Sequence, residues 1–181
     1  MTTTTELDEL TGDYVLDPAS TRIGFVARHT VGGRVRGRFG EFEGSARLDG
    51  ADPSKSSARL TIRAASIQTG NPQRDRHLSA GFLGADDHPA ISFTSTEVQK
   101  AGRTGFKVTG ALTIRGVTKP VTLDVELTGA ESDPSGGVRV GFAGSVTVSR
   151  KAWGVNWNAA TTAMVSDKVT LEFEVAAVRR S

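Results

Sequence analysis

The sequence predicts an all-β fold, an extended antiparallel barrel of about eight strands with one short helix capping a mouth. Three observations carry that prediction. Apolar and polar side chains alternate residue by residue over most of the chain, the pattern of a strand with one dry face and one wet face. The 181 residues include 21 glycines and 6 prolines, and the glycines sit between the alternating runs, where turns belong. One segment alone has the chemistry of a helix start.

The early runs, Tyr14 to Asp17, Ile23 to Arg28, and Arg36 to Leu48, alternate imperfectly. A turn from Asp49-Gly50 to Pro53 leads into Arg59 to Ile67. Asn71 then stands as an N-cap with Pro72 in the first helical position, and Gln73 to Ala80 follow before Gly81; this is the helix. Ile91 to Val98 resumes the sheet. After the Gly102 to Gly105 turn come Phe106, Val108, Leu112 and Ile114. Val121, Leu123, Val125 and Leu127 alternate cleanly with Thr122, Asp124, Glu126 and Thr128. A connector around Asp133-Pro134-Ser135 precedes Val138, Val140, Phe142, Val146 and Val148, and Val169, Leu171, Phe173 and Val175 form the last run. Several runs are long enough to span roughly 30 Å. Such strands leave exposed edges unless the sheet closes, and a ring of about eight holds either packed side chains or one small ligand. A two-sheet sandwich is the rival. Residues 1–12, rich in Thr and Glu, read as a flexible tail, and 13–180 as one barrel domain.

Composition excludes whole classes of chemistry. A chain of this length buries about 70% of its unfolded surface, so its core needs no staples. Cysteine is absent, which removes disulfides, thiolate nucleophiles and Cys-based zinc sites. Twenty-two basic against 20 acidic side chains, a net charge of +2, is not the footprint of a nucleic-acid binder. The first ten residues have neither a basic nor an apolar signal region, and no apolar run approaches the ~18 residues of a membrane-spanning helix. The expectation is a cytoplasmic protein without stable membrane insertion. No nucleophile elbow, phosphate loop, dinucleotide fingerprint or zincin helix motif occurs, so neither a catalytic residue nor a metal nor a cofactor is expected.

Four clusters merit weighing. Arg22, Arg28, Arg34, Arg36, Arg38 and His29 fall between Pro18 and Gly40 without an acid among them. Arg34, Arg36 and Arg38 share one strand face, either as an anion clamp or as a solvated face paired with acids such as Glu41, Glu43 or Asp49. Arg74, Asp75 and His77 on the helix either stand over a ligand's head or are solvated while Leu78 and Phe82 plug the barrel end. Arg150, Lys151, Trp153 and Trp157 interrupt the strand pattern and either line an apolar entrance or pack on the core. Asp86-Asp87-His88 offers possible metal ligands, but such sites need three or four that converge, and the run reads as a polar loop ended by Pro89.

An ordered set of motifs resembles the YceI-like family of polyisoprenoid-binding, lipocalin-like proteins. They are Tyr14-Val-Leu-Asp17-Pro-Ala-Ser20, Phe25-Val-Ala-Arg-His29 and Arg36-Gly37-Arg-Phe39, then Ile67-Gln-Thr69 through Arg74-Asp75-Arg-His77-Leu78 and His88-Pro89-Ala-Ile-Ser-Phe93. Val108-Thr-Gly110 through Gly116-Val-Thr118-Lys119-Pro120, Ser149-Arg150 with Trp153-Gly154, and Ser166-Asp167-Lys168-Val169 complete the set. The resemblance implies an extended antiparallel, lipocalin-like barrel whose pore holds one long isoprenoid, isoprenoid quinone or similar amphiphile, often in a homodimer. Several members of that family are periplasmic and carry a signal peptide; none is expected here from the first ten residues.

The expected function is non-catalytic binding of such a chain. Phe25, Phe39, Phe93, Phe106, Leu112, Ile114, Phe142 and Trp153 are the expected apolar wall, and Arg74, Asp75, Lys119 and Arg150 the expected polar groups at the ligand's head. Burying about 400 Å² of apolar ligand surface is worth roughly 10 kcal/mol before association costs, so affinity comes from the tail. Two other classes stay open: an enzyme acting on a lipophilic substrate in the same cavity, and an interaction module that binds an acidic partner or anionic membrane through Arg22 to Arg38.

Overall fold

Period-two alternation becomes a closed ring of strands. The computed structural model describes residues 10–29, 34–132, 137–153 and 165–179. The strands are β1 (Gly12–Leu16), β2 (Arg22–His29), β3 (Arg34–Phe39), β4 (Phe42–Leu48), β5 (Ser57–Arg63), β6 (Ile67–Gln68), β7 (Ala90–Lys100), β8 (Gly105–Ile114), β9 (Val117–Ser132), β10 (Val138–Ser149) and β11 (Val165–Arg179), with one α-helix, α1 (Pro72–His77). All pairings are antiparallel, and β1 pairs with both β4 and β11, which closes the sheet.

The 11 strand segments make eight staves. β1 and β2 both lie along β11 and are one stave interrupted by the Pro18–Ser20 turn. β3 and β4 are one stave bent at Gly40–Glu41, because β3 runs beside β2 while β4 runs beside β1. β6 continues β5 beyond the Ala64–Ser66 turn and pairs with β3. Where the sequence suggests one run from Arg36 to Leu48, the structure therefore has two, and β9 extends through Pro120, ahead of the expected start at Val121. Leu10 is buried and β1 begins at Gly12, so the folded part reaches into the segment read as a tail. Residues 1–9, the Asp133-Pro134-Ser135 connector, Gly154, Trp157 and the side chains of Arg28, His29, Phe82 and Ser166 lie outside the described residues.

Asp17 makes the break between β1 and β2. One carboxylate oxygen accepts from the Ala19 N–H at 3.2 Å, and the other accepts from Arg139 Nη2 at 2.8 Å. Pro18 starts the turn that Asp17 caps. The Arg139 hydrogen bond holds the Asp17 carboxyl below the usual carboxylate range.

Inward positions along the staves form two apolar clusters. One surrounds Ile23, Phe39, Ile62, Ile67, Ile91, Leu112, Ile114 and Trp153, and the other surrounds Leu10, Tyr14, Val138, Val140 and Ala177. Gly37, Gly110 and Gly144 stand at inward positions, and each faces a phenylalanine ring on the neighbouring strand. A Cβ on Gly37 would stand 2.3 Å from Phe25 Cζ, one on Gly110 2.5 Å from Phe93 Cζ, and one on Gly144 2.6 Å from Phe173 Cζ. The ring tips occupy the places where side chains would stand, so these rings lie along the wall and do not project across the bore.

Two predictions follow from this architecture. A lowered carboxylate pKa adds stability that is present above the ordinary carboxylate range and is lost as pH falls through the folded value. Asp17→Asn keeps the cap and removes the charge, so it should unfold more readily than the wild type near neutral pH, with the gap closing in acid; thermal melts across pH measure this. Gly110→Ala should cost about 1–3 kcal/mol in chemical denaturation, an overpacking penalty, because its Cβ would also meet the fixed Thr94 carbonyl at 2.5 Å. Gly129→Ala, with nothing within 4 Å of its Cβ, is the control that should cost little.

Candidate functional site

Closing eight staves around shelved rings leaves a cavity of about 860 Å³. This lies toward the upper end of the roughly 300–1,000 Å³ span of small-molecule sites. Apolar side chains supply nearly all of its wall, contributed by every stave: Phe25 and Val35 on β2 and β3, Leu60 on β5, Phe93 on β7, Leu123 on β9 and Phe173 on β11 among them. The lining reaches from Arg74, His77 and Trp153 at the helix end to Leu10, Asp49 and Ser56 at the other.

The helix end is assembled by short polar contacts. Asn71 Oδ1 accepts from the Gln73 and Arg74 N–H groups at 3.1 and 3.2 Å, which starts α1 at Pro72. Asp75 Oδ1 accepts from the Thr69 N–H and hydroxyl at 2.8 and 2.5 Å, while Arg74 donates to Thr69 Oγ1 at 2.8 Å and to its carbonyl at 3.0 Å. The helix is thereby fastened to the residue following β6. The chain then widens into a π-helical turn, Leu78–Phe82. Across the mouth, Asp167 accepts from the Ser149 hydroxyl at 2.7 and 2.8 Å and from the Lys151 N–H at 3.1 Å. The Ser149 hydrogen bond lowers its pKa, ahead of the other contributions. This anchors the Arg150–Trp153 turn, and Trp153 Nε1 donates to the Leu112 carbonyl at 2.9 Å, holding a buried indole at the bore's edge.

All eight expected wall residues line the cavity: Phe25, Phe39, Phe93, Phe106, Leu112, Ile114, Phe142 and Trp153. Phe25 and Phe39 sit with ring centroids 5.9 Å apart, and Phe106 meets Phe142 edge-on at 6.4 Å. The four expected head residues divide. Arg74 and Arg150 line the cavity, and Arg150 is only 5% exposed. Asp75 is off the lining, its Oδ1 engaged by Thr69. Lys119 is also off the lining; it pairs with Leu112 in the β8–β9 register but is exposed at the rim. At the far end of the bore, Tyr14 opens the first alternating run, while Leu10 stands ahead of that run and outside it.

The arginine strand carries a correction. Arg36 pairs with Glu172 at 3.5 Å and Arg38 Nε donates to Gln68 Oε1 at 3.3 Å, not with Glu41, Glu43 or Asp49. The intervening β2 presents Gly24 beside Glu172, and this flat position lets Arg36 reach across to β11. Glu41 pairs instead with Arg63 at 2.8 Å. These pairs are exposed, and each is worth about 0–1 kcal/mol. Asp86 and Asp87 are exposed in the loop before His88, whose ring packs against Gly116. Among the described residues, no group of three or more His, Cys, Asp or Glu is placed to hold a metal. No helix among them is long and apolar enough to cross a membrane.

Known proteins share this sequence and shape. A UPF0312 protein of Serratia proteamaculans is 41% identical over 149 residues, covering 81% of this chain and 77% of that protein. Burkholderia cenocepacia BcnA superposes with a TM-score of 0.80 at 25% identity, covering 89% of this chain and 98% of that one. A polyisoprenoid binding domain from Saccharophagus degradans, implicated in plant cell wall breakdown, has the same fold, with a TM-score of 0.66 at 17% identity over 92% of this chain and 98% of that one. A YceI-like domain matches residues 14–177, and the chain belongs to that family.

Proposed function

We propose that the barrel binds one long-chain isoprenoid or similar amphiphilic lipid inside its bore, without catalysis, for carriage, storage or sensing. The observation that carries this reading is the cavity itself, about 860 Å³ with a wall of apolar side chains from every stave. A chain in that bore gains about 0.8 kcal/mol for each methylene it buries. Phe25, Phe39, Phe93, Phe106, Leu112, Ile114, Phe142 and Trp153 hold the tail, while Arg74 and Arg150 orient the head at the helix end. The polyisoprenoid binding domain from Saccharophagus degradans, which has the same fold, supports the same ligand class. Cytoplasmic residence and pairing into a homodimer belong to this reading, and light scattering in solution tests the pairing.

The non-catalytic character is supported by the chemistry at the wall. Catalysis in such a bore calls for titratable groups with perturbed pKa values. Tyr14 lines the cavity. Burial raises the Tyr14 pKa, and its hydroxyl is committed to the Leu10 carbonyl.

Native mass spectrometry of protein purified from its own host, followed by organic extraction, should find lipid at up to one molecule per barrel. Leu112→Arg, which sets a charge on the wall, should abolish that lipid while circular dichroism shows the sheet intact. Lipid retained by a folded Leu112→Arg variant would remove Leu112 from the wall.

A further inference from the structure

The two ends of the bore are built differently. At the helix end, polar residues Asn71, Gln73, Arg74 and His77 contribute to the lining. At the other end, Leu10 and Tyr14, 3% and 1% exposed, line it beside Asp49 and Ser56. The Tyr14 hydroxyl donates to the Leu10 carbonyl at 2.9 Å in a buried setting. Tyr14 is itself fixed, because β1 is paired on both sides, with Ala46 and Arg179 opposite it. A buried hydroxyl without a partner is costly, and here the partner is the backbone of the segment preceding the first strand. The first strand thus straps Leu10 against the barrel interior. Leu10 packs there with Val138, Val140 and Ala177, against Leu48 and Leu127.

We propose that Leu10, held by the Tyr14 hydroxyl, is the floor of the binding bore and sets the longest chain the barrel accepts. This rests on the lipid-binding reading above and adds to it a chain-length determinant and an orientation, with the tail's end against Leu10 and the head toward Arg74 and Arg150. Each added methylene raises affinity about fourfold while it is buried. Once the tail touches Leu10, a further carbon must displace a packed side chain or leave the head outside its site, so the gain stops at a definite length. Leu10 makes that stop sharp because its backbone is tied to a strand and its side chain is packed on several sides.

The test uses the full chain and a graded series of straight-chain fatty acids, each displacing an environment-sensitive fluorescent fatty acid. The readout is the chain length at which affinity stops rising, which a general loss of affinity or stability does not move. The wild type should show a definite break. Leu10→Ala should move it about two to three carbons longer, since three side-chain carbons are removed and the cavity does not fully collapse. Leu10→Phe should move it shorter, and Tyr14→Phe, which keeps the ring and releases the strap, should move it longer. That last variant loses one oxygen and serves if Leu10→Ala does not fold. A break at the same length in all folded variants, or no break in the wild type, would overturn the assignment of the floor. Failure of the wild type to bind any chain would instead overturn the lipid-binding reading itself.

Discussion

Keeping a barrel hollow is a packing problem before it is a binding problem. An eight-stave ring is narrow enough for inward side chains to fill it, and large rings pointing to the axis would do so. Here, Phe25, Phe93 and Phe173 each lie over a glycine of the adjacent strand, Gly37, Gly110 and Gly144. Each glycine stands at an inward position of its strand, between Val35 and Phe39, Val108 and Leu112, and Phe142 and Val146. Removing three inward side chains gives the rings a shelf along the wall. The barrel keeps a large apolar surface, which stabilises the fold against solvent, and also keeps the space that surface encloses.

A hollow tube needs defined ends, and polar groups at its rims supply them. Asn71 and the Asp75–Thr69–Arg74 contacts fix the helix, Asp167 fixes the turn that carries Arg150 and Trp153, and Asp17 with Arg139 fixes the break between the first two strands. None of these carboxylates lines the cavity. They act by placing cavity residues.

Much of this was legible in the sequence. Val121 to Thr128 and Val169 to Val175 alternate so regularly that strand and inward face follow from period alone. The helix was legible because Asn71 and Pro72 are local signals that act through adjacent backbone. The wall phenylalanines were legible because inward position follows from alternation. Glycine was not: Gly37, Gly110 and Gly144 look like breaks in a strand, and their role depends on a ring that reaches them from another strand. Partners were not legible either. Arg36 reaches Glu172 because β11 returns beside β2, a long-range consequence of closure that pairing by sequence proximity to Glu41 or Glu43 cannot supply. Asp75 and Lys119 carry the charge expected of head-group residues, but one is taken up by Thr69 and the other stands exposed at the rim. Leu10 lacks any alternating neighbour to mark it, and its place depends on a tyrosine hydroxyl.

Titration calorimetry with a soluble long-chain fatty acid, repeated over a range of temperatures and ionic strengths, tests most directly whether an apolar guest displaces water from this bore. Burial of a tail against the wall predicts a pronounced negative heat-capacity change, with an affinity that salt hardly alters. A heat-capacity change near zero, or an affinity that collapses as salt is raised, would contradict the account and would place binding on the charged exterior.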